Sequence, residues 1–354
     1  MAQATQDFGE WPLKRLMTEI VGSGPKSADD MTREQAREAF RRILADEPDP
    51  TTLGAFWLAN RWKKNTPEEL AAFTDVMREE SVVTAEPDCD PVDCGANYDG
   101  KHTTAVLGVA AGIVAAATGT PVVAHSGDRV PTQKGTAYKH VLDELGVRTE
   151  LEPAESAEMV DETSFGFYYQ PAFNPGVHAL YDRRDQMGVR TFVNTIETVA
   201  NPANADVHLG SFYHLAFAKK MCDLVAESEV LEFSRVVMFQ GMEGYDDIRP
   251  GYTKVADWRA GEFDDFEIET AEYGMEMEND DLAVDDVDAD SAAITEAVLA
   301  GERDDHFADA VALNAAFRML ARDDVEDLEV GLDRARAVVD DGSAAAVLEE
   351  LRAF

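Results

Sequence analysis

Apolar positions change their spacing along this chain, and each change marks an element. Between residues 32 and 80 they recur every three or four positions, the period of a helix that buries one face. Thr32-Arg33-Glu34-Gln35 has capping-box spacing and predicts a helix to about residue 44. Asp49-Pro50 opens a second helix, with Leu53, Phe56, Trp57 and Asn60 at helical spacing. Thr66-Pro67-Glu68-Glu69 opens a third, ahead of Leu70, Phe73 and Met77. Short amphipathic helices bury little by themselves and need a neighbour. The stripe of Phe56, Trp57 and Trp62 is therefore expected in a core or on a dimer surface.

From residue 98 the pattern shortens into loop, helix, strand, loop, helix. Residues 105–117 form an Ala-rich apolar run, too long for a strand, and Gly119 ends it as left-handed glycines end helices. Pro121-Val122-Val123-Ala124 reads as a strand buried on both faces, as in a parallel sheet. Polar loop residues 125–136 follow, then a helix over 137–145 closed by Gly146. Ligands of open α/β sheets sit beyond the carboxyl ends of strands, the place this loop occupies. Further on, a helix is expected over 153–161 and strands at Phe165-Gly166-Phe167-Tyr168-Tyr169, Val207-His208-Leu209-Gly210 and 234–239. Another helix is expected over 214–226, a strand-rich section over 266–277, and amphipathic helices over 292–300, 307–321 and 325–339. Residues 85–97, rich in Asp, Pro, Cys and Gly, read as a loop. The expected division is a small helical domain over 1–84, completed by helices within 170–205, and a large α/β domain over 85–354.

Composition changes this picture in two ways. With 70 acidic against 31 basic residues in 354, the net charge is −39, and the acids are spread along the chain rather than gathered in a tail. Such a surface resembles that of proteins working in molar salt, and it disfavours nucleic acid and anionic membranes at ordinary salt. Anionic ligands must be captured by local donors against the global field. Three cysteines, Cys89, Cys94 and Cys222, fit neither a disulfide framework nor a common zinc spacing, so reduced thiols are expected. The first residues carry no apolar core of signal length and no run reaches membrane-spanning length, so a cytoplasmic protein is expected.

The loops carry the chemistry. Asp99-Gly100 leads the central helix, with Thr103 and Thr104 placed near its positive end. After the buried strand come His125, Gly127, Arg129, Lys134, Gly135 and Thr136, among which Arg129, Lys134 and Thr136 are the cationic and hydroxyl groups suited to an anion. Asp246-Asp247, after the strand at 234–239 and among glycines, suits a hard cation such as Mg²⁺.

These stretches resemble the anthranilate phosphoribosyltransferase family, glycosyltransferase family 3, nearly from end to end, and are most similar to its divergent anthranilate-phosphoribosyltransferase-like branch. The resemblance implies a fold like that of nucleoside phosphorylases and phosphoribosyltransferases: a mainly parallel sheet wrapped by helices, with a small N-terminal helical domain. It also implies a homodimer, Mg²⁺, phosphoribosyl pyrophosphate (PRPP) as donor and a small aromatic acceptor, as in tryptophan biosynthesis. Where the family has Gly-Thr-Gly-Gly-Asp, this chain has Ala96-Asn97-Tyr98-Asp99-Gly100, and Val106-Leu107-Gly108-Val109 stands at the family's Asn-x-Ser-Thr. Ala124-His125-Ser126-Gly127-Asp128-Arg129 aligns with Lys-His-Gly-Asn-Arg, with one insertion and the lysine lost. Gln170-Pro171-Ala172-Phe173-Asn174-Pro175 resembles Ala-Pro-Ala-Phe-His-Pro, with Asn174 at the histidine. Arg184 aligns with the arginine that meets the acceptor's carboxylate, as a planar guanidinium suits. Glu197 replaces a glycine nearby, and Asp246-Asp247 keep the family's acid pair. The resemblance points to transfer of phosphoribose to an aromatic amine or base. The departures keep open a paralogue without anthranilate activity that acts as a binding protein, and nucleoside phosphorolysis uses the same fold.

Overall fold

The computed structural model of the chain describes residues 13–21, 26–95, 98–244 and 247–354. Seven strands form one sheet in the order β3-β2-β1-β4-β5-β6-β7. They are β1 (Val92–Cys94), β2 (Val122–Ser126), β3 (Phe165–Tyr169), β4 (Val207–Phe212), β5 (Arg235–Gln240), β6 (Tyr252–Arg259) and β7 (Glu262–Glu269). The first five run parallel, and β6 and β7 are added antiparallel.

Period-two alternation divides the core into two layers. Val92, Cys94, Val122, Ala124, Val207, Leu209, Val237 and Phe239 face the layer of helices Gly108–Ala117, Val287–Leu299, His306–Ala321 and Leu328–Asp340. Val123, Val236 and Met238 face the other layer, which holds the N-terminal helices and the helix Leu215–Glu227. There Phe192 stacks on Phe73 with ring centroids 4.1 Å apart and meets Phe40 edge-on, so the segment after residue 190 packs into the N-terminal helices. All three predicted helix starts are capped as their spacing requires. Thr32 and Thr66 form capping boxes with Gln35 and Glu69, and Asp49 accepts the amides of Thr51 and Thr52.

Two expectations are corrected. The loop expected over 85–97 contains β1, the strand between β2 and β4. Its three residues centre on an aspartate, so no apolar run announces it. The strand-rich section expected over 266–277 lies earlier, as a β6–β7 hairpin turning at Ala260 and Gly261, both with positive φ. Residues 270–282 instead contain two short 3₁₀ turns. Acidic β7 buries one side chain, Ile268, so its outer edge carries little hydrophobic pattern.

With β2 and β3 on one side of β1 and β4 and β5 on the other, strand order reverses at β1. The crevice beyond the carboxyl ends of β1 and β4 is where open α/β sheets bind ligands.

Candidate functional site

Two cavities meet at that crevice and share Tyr213 in their walls. The first, about 300 Å³, opens over β1, β4 and β5 and is lined by Asp99, Arg190, Asn194, His208 and the rings of Phe212 and Phe217. The second, about 470 Å³, is lined by Thr103, Thr104, Glu243, Arg249 and Asp280.

The loops carrying Asp99-Gly100 and Gly135-Thr136 are drawn together by their backbones. Lys101 and Thr136 exchange amide hydrogen bonds of 2.9 Å, and the Gly135 amide donates to the Asp99 carbonyl at 2.8 Å. Gly100 has a φ of 81°, and a Cβ there would lie 2.2 Å from the Gly135 carbonyl carbon. Both positions therefore need glycine so that two main chains can touch.

The donor groups expected to hold an anion are each met by a carboxylate of the chain itself. Glu243, left-handed at φ 53°, turns its carboxylate into the 102–104 loop. There it accepts from the amides of His102 (2.8 Å), Thr103 (3.2 Å) and Thr104 (2.9 Å). It also accepts from the hydroxyls of Thr103 (2.7 Å) and Thr104 (2.9 Å). Burial pushes this carboxyl up, but those hydrogen bonds together outweigh burial and hold it below its usual value. Arg129 and the Thr136 hydroxyl both reach Asp288. Lys134 pairs with Asp185 at 2.6 Å. Arg184, buried, makes a two-pronged pair with Glu197 at 2.9 and 2.6 Å, and Gln170 adds a bond of 3.1 Å to the same carboxylate.

The remaining expected residues lie deeper. Asp99 pairs with Arg190 and accepts from Asn194 at 3.2 Å, and burial, opposed by Arg190, pushes its carboxyl up to about 6. His125 is fully buried, edge-on to Tyr98 and Phe173. Gly127 packs against Gln170, where a Cβ would come within 2.9 Å of Oε1. Asn174 is buried with its Oδ1 2.5 Å from the Ser81 hydroxyl. Asp247 is buried against the Lys101 ammonium, and its Oδ1 has no hydrogen-bond partner among the described residues. Asp246 lies outside the described residues. No group of three or more His, Cys, Asp or Glu suited to a metal occurs among the described residues, and no described helix is long and apolar enough to cross a membrane.

Sequence reading passed over Asp93 and His208. Asp93 sits opposite Val123 on β2 and His208 on β4. Side chains two apart on a strand share a face, so His125 joins them. His208 Nδ1 is 2.7 Å from Asp93 Oδ2, and His125 Nε2 is 3.1 Å from Oδ1. Burial pushes the Asp93 carboxyl up, but the two imidazoles overcome it and hold it well below the usual carboxylate range. The available signal was faint: a lone aspartate in β1 and a lone histidine next to the start of β4.

The model of the glycosyl transferase family's α/β domain matches residues 92–345, and that of its helical-bundle domain matches residues 18–81. The chain is 30% identical over 344 residues to the anthranilate phosphoribosyltransferase of Symbiobacterium thermophilum, covering 97% of each chain. To that of Natronomonas pharaonis it is 29% identical over 329 residues, covering 92% of this chain and 96% of the relative. Its fold is similar to the crystal structure of anthranilate phosphoribosyltransferase from Thermus thermophilus, with a TM-score of 0.81 and 27% identity over 97% of this chain and 99% of that one. It is also similar to the Saccharomyces cerevisiae enzyme in complex with PRPP and Mg, with a TM-score of 0.83 and 20% identity over 98% of each chain.

The Glu243 contacts generate a prediction. Glu243→Gln removes a negative charge from the 102–104 loop while keeping its shape, so inorganic pyrophosphate should bind roughly tenfold tighter by calorimetry. Unchanged affinity contradicts an anion-accepting loop. Because the folded carboxyl titrates low, its contribution to stability is present above about 4.5 and is lost as pH falls through the folded value. The wild-type advantage over the variant should shrink on acidification across that window.

Proposed function

Belonging to the glycosyl transferase family through both its α/β and helical-bundle parts, the chain is a pentosyltransferase, and we propose that it transfers phosphoribose from PRPP to an aromatic amine or base with Mg²⁺. The observation that carries this reading is the pair of cavities sharing Tyr213 at the strand-order reversal. One is walled by Arg249 and by loop amides and hydroxyls that a phosphate would take over from Glu243, and the other offers aromatic walls and polar groups to an acceptor. Likeness to anthranilate phosphoribosyltransferases, one of them in complex with PRPP and Mg, supports it. So does the closeness of the two cavities, which would hold the acceptor nitrogen beside C1 of the ribose. Catalysis would rest on positioning and on stabilising the departing pyrophosphate. The non-catalytic alternative is not favoured by this membership.

The proposed Mg²⁺ site is Asp247, where a buried carboxylate oxygen lacks a hydrogen-bond partner among the described residues, with its sequence neighbour Asp246, which lies outside them. Bound there it would offset the charge of the pyrophosphate. The pairing of Arg184 with Glu197 occupies the guanidinium expected to meet an acceptor carboxylate. The proposed acceptor is therefore an aromatic amine or base rather than anthranilate in particular.

Calorimetric titration of PRPP with Mg²⁺ in molar KCl tests the donor. Binding should require Mg²⁺ and disappear in the Asp246→Asn/Asp247→Asn double variant. In the same cell, Glu197→Gln should raise anthranilate affinity at least roughly tenfold, because Arg184 is left without its counter-charge. Absence of PRPP binding to the wild type sinks the transferase reading. Unchanged anthranilate affinity removes Arg184 from the acceptor site.

We also propose a cytoplasmic homodimer adapted to molar salt. Exposed apolar side chains on the N-terminal helices, Val21, Leu58 and Trp62, the last 71% exposed, would supply the contact. The −39 charge would supply the salt requirement. Sedimentation velocity in molar KCl should show a dimer that Trp62→Glu makes monomeric, with loss of structure as salt is withdrawn. A wild-type monomer, or a fold indifferent to salt, contradicts the respective part.

A further inference from the structure

The crevice between β1 and β4 contains a buried arrangement that the donor and acceptor sites leave unused. His208 lies at the point where β4 reaches the 300 Å³ cavity and forms part of its wall. Its Nδ1 is 2.7 Å from Asp93 Oδ2, a contact set by the direct pairing of the two residues across parallel strands. Asp93 is fully buried and ionised, so it is an acceptor only and fixes His208 as the tautomer with its proton on Nδ1. In the neutral ring Nε2 then carries the lone pair, and among the described residues none donates to it.

Two glycines make room for the ring. A Cβ on Gly95 would lie 2.7 Å from His208 Cε1, and one on Gly210 would lie 2.9 Å from Nε2. Behind Asp93, His125 Nε2 is 3.1 Å from Oδ1 and the Tyr98 hydroxyl meets His125 Nδ1. His125 stands behind the carboxylate without completing a hydrogen bond to it, so the bond between Asp93 and His208 alone fixes the direction of the His208 ring. The ionisable groups facing His208 are Asp93 on β1 and His125 on β2, with Arg61, Asp99, Arg190, Tyr213 and His214 around the cavity. Among them, Asp99 is neutralised by Arg190.

We propose that His208 accepts the proton released by the attacking nitrogen, with Asp93 as its positioning residue. The proposal rests on the transferase reading above. As the nitrogen lone pair forms a bond to C1 of the ribose, the C1–O bond breaks and its electron pair leaves with pyrophosphate. The N–H proton passes to His208 Nε2 and from there to solvent. Asp93 stays ionised and stabilises the imidazolium that forms.

The test uses the full chain with its histidines labelled with ¹⁵N. The His208 signal, identified by its loss in His208→Gln, should show a protonated Nδ1 and a lone pair on Nε2 in its neutral form, and Asp93→Asn should shift it towards the other tautomer. A wild-type His208 protonated on Nε2 overturns the proposal, because that nitrogen could accept nothing. The second arm follows pyrophosphate release from Mg·PRPP with anthranilate and aniline as probes. His208→Gln and His208→Asn should lower kcat at least about 100-fold at neutral pH, with a flattened pH profile and little change in the KM for PRPP. Wild-type kcat in both variants across the pH range also overturns it. Failure of PRPP to bind the wild type would instead sink the transferase reading, while the tautomer would still show whether His208 presents an acceptor to the cavity.

Discussion

A donor group held at the mouth of a sheet must be satisfied, and here the satisfying partner is repeatedly the chain's own carboxylate. Glu243 fills the 102–104 loop, Asp288 takes Arg129 and Thr136, Asp185 takes Lys134, and Glu197 takes Arg184. With 70 acidic residues in the sequence, partners of this kind are close at hand wherever a cation or an amide cluster forms. The geometry of the site depends on these pairs. The 99–101 and 134–136 loops meet through glycines, and their outer faces are tied to Asp288 and Asp185.

The pairs differ in what they cost to open. Arg129 and Lys134 are more than two-fifths exposed, and their ion pairs are weak and screened by salt. Arg184 and Glu197 are buried, and separating them leaves an uncompensated charge in the core. The Glu243 contact lies between these extremes, half-buried beside a cavity, with hydrogen bonds that a phosphate oxygen could take over. A ligand anion therefore meets three rather different barriers around one crevice. The Asp93 carboxylate stands apart, because its partners are imidazoles rather than permanent cations. That suits it to orient a group that exchanges a proton.

Local signals in the sequence were legible. Thr32, Asp49 and Thr66 cap helices as their spacing required, and Gly119 and Gly146 take positive φ where helices stop. β3 and β4 start at the residues expected, because buried parallel strands are nearly continuous apolar runs. β1 escaped because it has three residues around an aspartate, and β7 because its outer face is acidic. The site was legible as a set of loops but not as a set of contacts. Glu243 is 140 residues from Thr103, and Asp288 is 159 from Arg129, so no spacing rule joins them. His208 drew no notice as a lone histidine on a strand. Only the register placed it opposite Asp93.

A crystal structure of the chain with Mg²⁺ and PRPP would show where Glu243 goes when a phosphate ligand arrives. The Glu243 carboxylate should leave the amides of residues 102–104 and phosphate oxygens should replace it, with the ribose reaching towards Tyr213 and the His208 cavity. PRPP bound while Glu243 keeps all of its present hydrogen bonds would contradict that exchange.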